Sequence, residues 1–220
     1  MTLDRELLAE IWPLFVRASV TTAWISALSM AIGLVLGLLT ALARLSPWRP
    51  LRLVARGYVE LIRGTPLLVQ VYFLYAAAPY YHLTLPPIVS GVTSLSLYVG
   101  AYASEILRAG ITAVHKGQIE AARSLGMSYW QTLRRVTIPI MAALVTPALT
   151  NEFTGVLKWS SILSLITVPE LTYRAYQVIA ESYAPIEALV LSGLMYWALT
   201  DIVAWGGRVV ERRVTRHLSP

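Results

Sequence analysis

Between Ser19 and Ala43 the chain runs for 25 residues without a single charge. A helix needs ~20 apolar residues to cross the hydrocarbon of a bilayer. Inside that hydrocarbon every backbone polar group must be satisfied within its own segment, so the run is restricted to a membrane-crossing helix. Four further stretches have similar character: Val54 to Tyr81, apolar mainly after Pro66; Val92 to Leu107, which is short and holds Glu105; Ile138 to Ile166, which contains Glu152 and Lys158; and Ile186 to Trp205. The expected fold is an all-α integral membrane protein with five transmembrane helices, forming one domain over residues 1–220. Composition agrees, with 56% hydrophobic and 14% charged residues and a mean hydropathy of +0.61. Soluble domains carry about a quarter charged residues.

Other classes fall away. There is no cysteine, which excludes disulfides and thiolate metal sites. His82, His115 and His217 are far apart, without paired ligand spacing, so neither a metal centre nor a membrane enzyme is expected. The net charge of +6 is distributed at the ends of apolar runs, which argues against nucleic acid as a partner. The N-terminal stretch carries Asp4, Glu6 and Glu10 where a signal peptide needs basic residues, so the first span is expected to stay in the mature protein.

Orientation follows from Lys and Arg near the span ends. Five spans put 14 basic residues on one side and four (Arg5, Arg17, Lys158 and Arg174) on the other. The richer side is expected to be cytoplasmic, with the N-terminus outside and the C-terminus inside. Trp12, Trp24, Tyr80, Tyr81, Trp197 and Trp205 fall near span ends, as interfacial anchors do. Gly33 and Gly37 form a G-x-x-x-G pair in the first span. The pair suits close helix packing, within the subunit or across a dimer, and is also common in ordinary membrane helices.

The segment from Lys116 to Thr137 breaks the apolar pattern on the cytoplasmic side. Gln118 to Leu125 favours a short helix, and Gly126 sits where a left-handed residue ends one. Ser128 with Gln131 makes a capping box that opens a second helix from about Tyr129 to Arg135, and Pro139 follows at the start of the fourth span. The result is a helical elbow at the membrane surface with Ala121 and Ala122 expected to be exposed. From these residues alone it is either a protein-docking element or an amphipathic elbow with Arg134 and Arg135 on lipid phosphates.

The string Glu120-Ala121-Ala122, three residues, Gly126, nine residues, then Val136-Thr137-Ile138-Pro139 resembles the EAA motif of ABC importer permeases. The family motif ends Ile-x-Leu-Pro, so two positions depart conservatively. "ELIRGTPLLVQVYFLY" (60–75), "LYVGAYASEILRAGI" (97–111) and "LTNEFTGVLKWSSILSLI" (149–166) are similar to the polar amino-acid branch of that family. The resemblance covers roughly residues 15–215. It implies a type I importer-like permease of the bacterial plasma membrane that pairs with an identical or homologous permease. A cytoplasmic ABC ATPase would dock on the elbow (116–137) through Glu120, Ala121, Ala122 and Gly126, and an extracytoplasmic binding protein would deliver an amino acid. ATP and Mg would belong to that ATPase, since this chain has no G-x-x-x-x-G-K-[ST] and no cofactor of its own.

The ionisable residues at membrane depth are expensive there and need a partner, a cavity or water. Glu152 lies 14 residues beyond Ile138, ~21 Å along a helix, past mid-membrane on the outer side. Asn151 and Glu152 point to different faces. They either meet the polar head of an amino acid or hold the bundle together by hydrogen bonds. Lys158, Trp159, Ser160 and Ser161 extend this candidate path, although serines in such helices often bond their own backbone. Many relatives carry Asp where this chain has Trp159, which weakens an assignment to basic amino acids. Glu105 and Arg108, three apart, read as a structural ion pair. Thr65-Pro66 marks either a gate-forming kink or a simple helix start. Residues 170–187 have apolar positions at Leu171, Ala175, Val178 and Ile179 and are expected to lie flat on the outer face, with Glu170, Arg174 and Glu181 available to the binding protein. A stand-alone secondary transporter would need an internal repeat, and none is evident.

Overall fold

The computed structural model describes residues 5–216, so Asp4 and His217, used above, lie outside the described residues. All regular structure among them is helical. Helix α1 (Arg5–Leu45) leads into α2 (Arg49–Gly64), followed by α3 (Leu67–Tyr72), whose coil continues to Tyr81. Next come α4 (Pro87–Ala113), α5 (Lys116–Ser124), α6 (Tyr129–Thr132), α7 (Ile138–Trp159, continuing in a tighter coil to Ile166), α8 (Leu171–Ser182) and α9 (Pro185–Thr215).

The G-x-x-x-G pair works within the subunit. A Cβ on Gly33 would lie 2.5 Å from Val99 of α4, and one on Gly37 would lie 2.7 Å from Ala103. Without those carbons the two backbones approach closely, and α1 and α4 form the most extensive helix pair of the fold. The pairing order 33 with 99 and 37 with 103 makes them parallel, so Leu45 and Ala113 share one end of the bundle. Gly110 packs against Val145 and Met141 at that same end, which makes α7 antiparallel to α4. Helix α9 packs on α7 where Gly207 meets Thr150. At the opposite end α8 covers α1 and α9 through Ile11, Phe15, Leu171, Ala175, Val178 and Ala188. The buried face of α8 is therefore the one its apolar spacing predicts.

Among the described residues three helical stretches are long and apolar enough to cross a membrane, Arg5–Leu45, Tyr129–Ile166 and Pro185–Thr215, and the bent pair Arg49–Gly64 with Leu67–Tyr81 makes a fourth if its two parts are taken together. The expected second span is not one helix. The chain turns by 106° between Gly64 and Leu67, so α2 and the α3 segment are separate arms. Helix α4 has 27 residues, ~40 Å of rise, but its serines and glycines keep it from having a membrane-length stretch as apolar as those three. It can be so because neighbours surround it: Ser90, Ser94, Ser96 and Ser104 are all buried.

The backbone of the elbow departs from expectation at its second helix. α5, Gly126 at φ +82 and the Ser128–Gln131 capping box are all present. The second elbow helix, however, does not stop before the fourth span; it runs into α7 through a wide π turn at Leu133–Thr137. There the Ile138 N–H donates to the Leu133 carbonyl, five residues back. The cause is Pro139, which offers no N–H and crowds the carbonyl four residues earlier. The same device recurs at Phe73–Ala77, where the Ala78 N–H reaches the Phe73 carbonyl just ahead of Pro79.

Glu170 is fully buried and caps α8, accepting from the N–H groups of Thr172 (3.0 Å) and Tyr173 (2.7 Å) and from the Tyr196 hydroxyl (2.5 Å). Burial pushes its carboxyl above the ordinary range, against the pull of those donors. It is thus a packing residue, not the exposed docking charge the sequence suggests.

Candidate functional site

α7 presents the candidate path residues in different surroundings. Asn151 and Lys158 are exposed, while Glu152 is half-buried. The Glu152 Oε1 atom is buried and has no hydrogen-bond partner among the described residues. Trp159 lies seven residues beyond Glu152, hence on the same side of the helix. Its ring folds back over Gly155, where a Cβ would stand 3.1 Å from the indole. Any side chain at Gly155 would press on the indole, and no sequence pattern pointed to this contact.

Trp159 meets two tyrosines of α4. Tyr98 and Tyr102, one helical turn apart, stack at 4.6 Å between centroids, and Trp159 packs edge-on against Tyr98 at 4.9 Å. The Arg63 guanidinium sits 5.1 Å above the Tyr102 ring, within cation–π range. Tyr98 lies within electrostatic reach of both Glu152 and Arg63. The three rings form an aromatic wall with the Arg63 guanidinium over its Tyr102 end and the Glu152 carboxylate in electrostatic reach of Tyr98. The i, i+4 spacing of Tyr98 and Tyr102 was the available clue to this wall, while Arg63 needed the chain to fold back at Pro66.

Ser160 and Ser161 are spent locally. Ser160 is fully buried and donates to the Leu157 carbonyl (2.7 Å), and Ser161 donates to the Lys158 carbonyl (2.7 Å). Both hydroxyls thus follow the backbone-bonding alternative that serines in such helices favour.

Thr65 and Pro66 stand at the 106° turn. Pro66 does not kink a continuous helix; it caps α3 after α2 has ended. Gln70 splices the break, its Nε2 donating to the Ile62 carbonyl (2.8 Å), the Thr65 carbonyl (3.2 Å) and the Thr65 hydroxyl (2.9 Å). A cavity of about 390 Å³ opens beside it, lined by residues that include Thr65, Gln70, Phe73, Ser94 and Leu97.

Glu105 anchors the same end of α4. It accepts from Arg44 of α1 (2.6 Å) and Arg108 (2.9 Å), and Arg63 of α2 lies 3.5 Å away. The Glu105–Arg108 pair is therefore structural, as its spacing implies, and extends to three arginines on three helices.

On the elbow, Glu120, Ala121 and Gly126 are exposed. Ala122 is not: it is 6% accessible and packs inward, so only one of the two alanines is on the surface. Leu125 (85%), Tyr129 (62%) and Trp130 (74%) are exposed around Gly126. Nothing lies within 4 Å of a Cβ placed on Gly126. Glycine is needed there for its backbone angle, which L side chains rarely adopt. A group of his, Asp or Glu side chains able to hold a metal is absent among the described residues.

Residues 33–216 match the family described as "Binding-protein-dependent transport system inner membrane component". The chain is 40% identical over 209 residues to the L-cystine transport system permease protein TcyB of Bacillus subtilis, covering 94% of this chain and 89% of that protein. It is 35% identical to the glutamine transport system permease protein GlnP of Escherichia coli, covering 93% and 95%. Among solved structures it is similar to a chain of "an amino acid ABC transporter with histidines", with a TM-score of 0.88, 38% identity and coverage of 97% and 100%. A chain of the MetNI methionine ABC transporter shares the fold at 18% identity and a TM-score of 0.78.

Proposed function

The chain belongs to the family of inner-membrane components of binding-protein-dependent transport systems, and from that premise we propose that it is the membrane-spanning subunit of an ATP-driven importer of amino acids. In this reading it crosses the plasma membrane of a bacterium five times, with the α5–α6 elbow, α2 and the C-terminus on the cytoplasmic side. A second permease subunit completes the pathway, and a binding protein delivers the substrate from outside.

The observation that carries the substrate reading is the partnerless, buried oxygen of Glu152 beside the aromatic wall. A buried acceptor without a donor is costly, and a substrate ammonium is the donor that relieves it. Arg63, shared only loosely with Glu105, keeps donors for the α-carboxylate. Tyr98, Tyr102 and Trp159 take the side chain, while Asn151 and Lys158 line the approach. The splice at Thr65, Pro66 and Gln70 supports a gate at the inner mouth. Energy enters at the elbow: Glu120, Ala121 and Gly126 together with Leu125 and Trp130 suit a groove on a separate ATPase, which binds ATP and Mg, and Ala122 fixes the elbow from within.

Two variants test the two halves separately. The complex is reconstituted with its ATPase and binding protein and assayed against a panel of radiolabelled amino acids. Glu152→Gln is expected to lower uptake at least tenfold with ATPase association intact. Glu120→Arg is expected to abolish co-purification of the ATPase. Uptake within twofold of the parent in Glu152→Gln counts against the substrate site, and transport sustained without an ATPase overturns the importer reading.

A further inference from the structure

Apart from Arg63, the faces of helix α2 have no part in the function above. Ala55, Val59 and Ile62 are buried against α1 and α4. Arg49, Arg52, Arg56, Glu60 and Arg63 fall on a second stripe at helical spacing. Opposite that stripe stand Leu51, Val54 and Leu61, with Val54 73% and Leu61 65% accessible. The remaining flank is Pro50, Gly57 and Gly64, one every seven residues. The chain turns by 106° into the α3 segment, so α2 does not continue the direction of that segment.

A helix with protein on one side, cations facing one way and exposed aliphatic groups facing the other suits the boundary between headgroups and acyl chains. Of its arginines, Arg52 is engaged with the carbonyls of Ser46 and Pro47, and Arg63 lies in the Glu105 cluster. Arg49 and Arg56 are exposed and make no ion pair among the described residues, although Glu60 shares their stripe. Trp48, 64% accessible, stands at the head of the helix, as an interfacial aromatic does. Beneath, Leu39, Leu42, Leu51 and Val54 border a cavity of about 680 Å³ between α1 and α2.

We infer that α2 is an interfacial anchor that recruits anionic phospholipid, with Arg49 and Arg56 on the headgroup phosphates and an acyl chain against Leu51 and Val54. The inference rests on the membrane-spanning reading above. Its occupant is lipid because the free cations and the aliphatic stripe lie on opposite sides of one helix, as the two parts of a lipid do. A basic residue at an anionic surface contributes roughly a fivefold preference.

The intact complex is placed in phosphatidylcholine vesicles containing phosphatidylglycerol, with either lipid dibrominated at equal mole fraction. The Trp48 contribution to fluorescence is obtained by difference from Trp48→Phe. The expected result is that brominated phosphatidylglycerol quenches Trp48 roughly threefold or more above brominated phosphatidylcholine, and that Arg49→Gln with Arg56→Gln removes the preference. Equal quenching by the two lipids, a preference that survives the double substitution, or no quenching because a protein partner covers the site each overturn the inference. Trp24, Trp197 and Trp205 report insertion independently. If they too escape quenching, the membrane reading itself has failed; if they respond normally in the double variant, its fold is intact.

Discussion

At Gly33 a single hydrogen in place of a methyl decides how closely two long helices approach. Gly33→Val inserts carbon where Val99 already stands 2.5 Å away. It is expected to cost ~1–3 kcal/mol, seen as a lowered thermal transition, while Gly206→Ala, with nothing within 4 Å, is expected to leave the transition unchanged or slightly raised. Glu105 is the second decisive residue. Its partners range from 14% accessible at Arg44 to 44% at Arg63, so the cluster is only partly shielded from water. Glu105→Gln leaves three arginines facing one another and is expected to cost ~1–2 kcal/mol, a value reduced for that exposure. Added salt should narrow the gap in melting temperature between variant and parent; a gap independent of salt would contradict the electrostatic account. The ion pair of Glu105 with Arg108 was legible because it is local. Arg44 and Arg63 were not, because only the folded arrangement of α1, α2 and α4 brings them within reach of one carboxylate.

Among the elements, the elbow was the most legible. Its capping box and left-handed glycine depend on residues two to four apart, and such local chemistry is fixed before the chain folds. The π turns at Leu133–Thr137 and Phe73–Ala77 were not read, since a proline following a polar segment signals a helix start as readily as a widened turn. The break at Pro66 shows the same ambiguity resolved the other way. There Gln70 supplies three hydrogen bonds across the gap. Gln70→Leu removes them, and each such bond contributes ~1 kcal/mol. Amide exchange at residues 61–66 is expected to accelerate at least tenfold relative to α4; unchanged exchange would show that packing alone holds the turn.

For the whole molecule, the apolar runs located the long helices, although α1 and α4 run parallel because the bent α2–α3 arm returns the chain between them. What the runs hid was the position of α4. A hydropathy pattern reports contact with lipid, and a helix enclosed by protein is released from that requirement. The aromatic wall was hidden for the same reason: its rings come from α4 and α7, and Glu152 and Trp159 were singled out while Tyr98 and Tyr102, on another helix, were not. The enclosure of α4 also bears on how the chain is made. With Ser90, Ser94, Ser96 and Ser104 on its buried faces, α4 is poorly suited to leave the translocon for lipid unaided, so α1 must already be waiting to receive it. In nascent chains ending after α4, replacing Gly33 and Gly37 by leucine should lower the inserted fraction of α4, as scored by a glycosylation acceptor placed at its end; an unchanged fraction would mean α4 partitions by itself. A lowered fraction would make helix docking and membrane entry one event for this protein, with the two glycines of its first helix acting during synthesis as a receptor for its fourth.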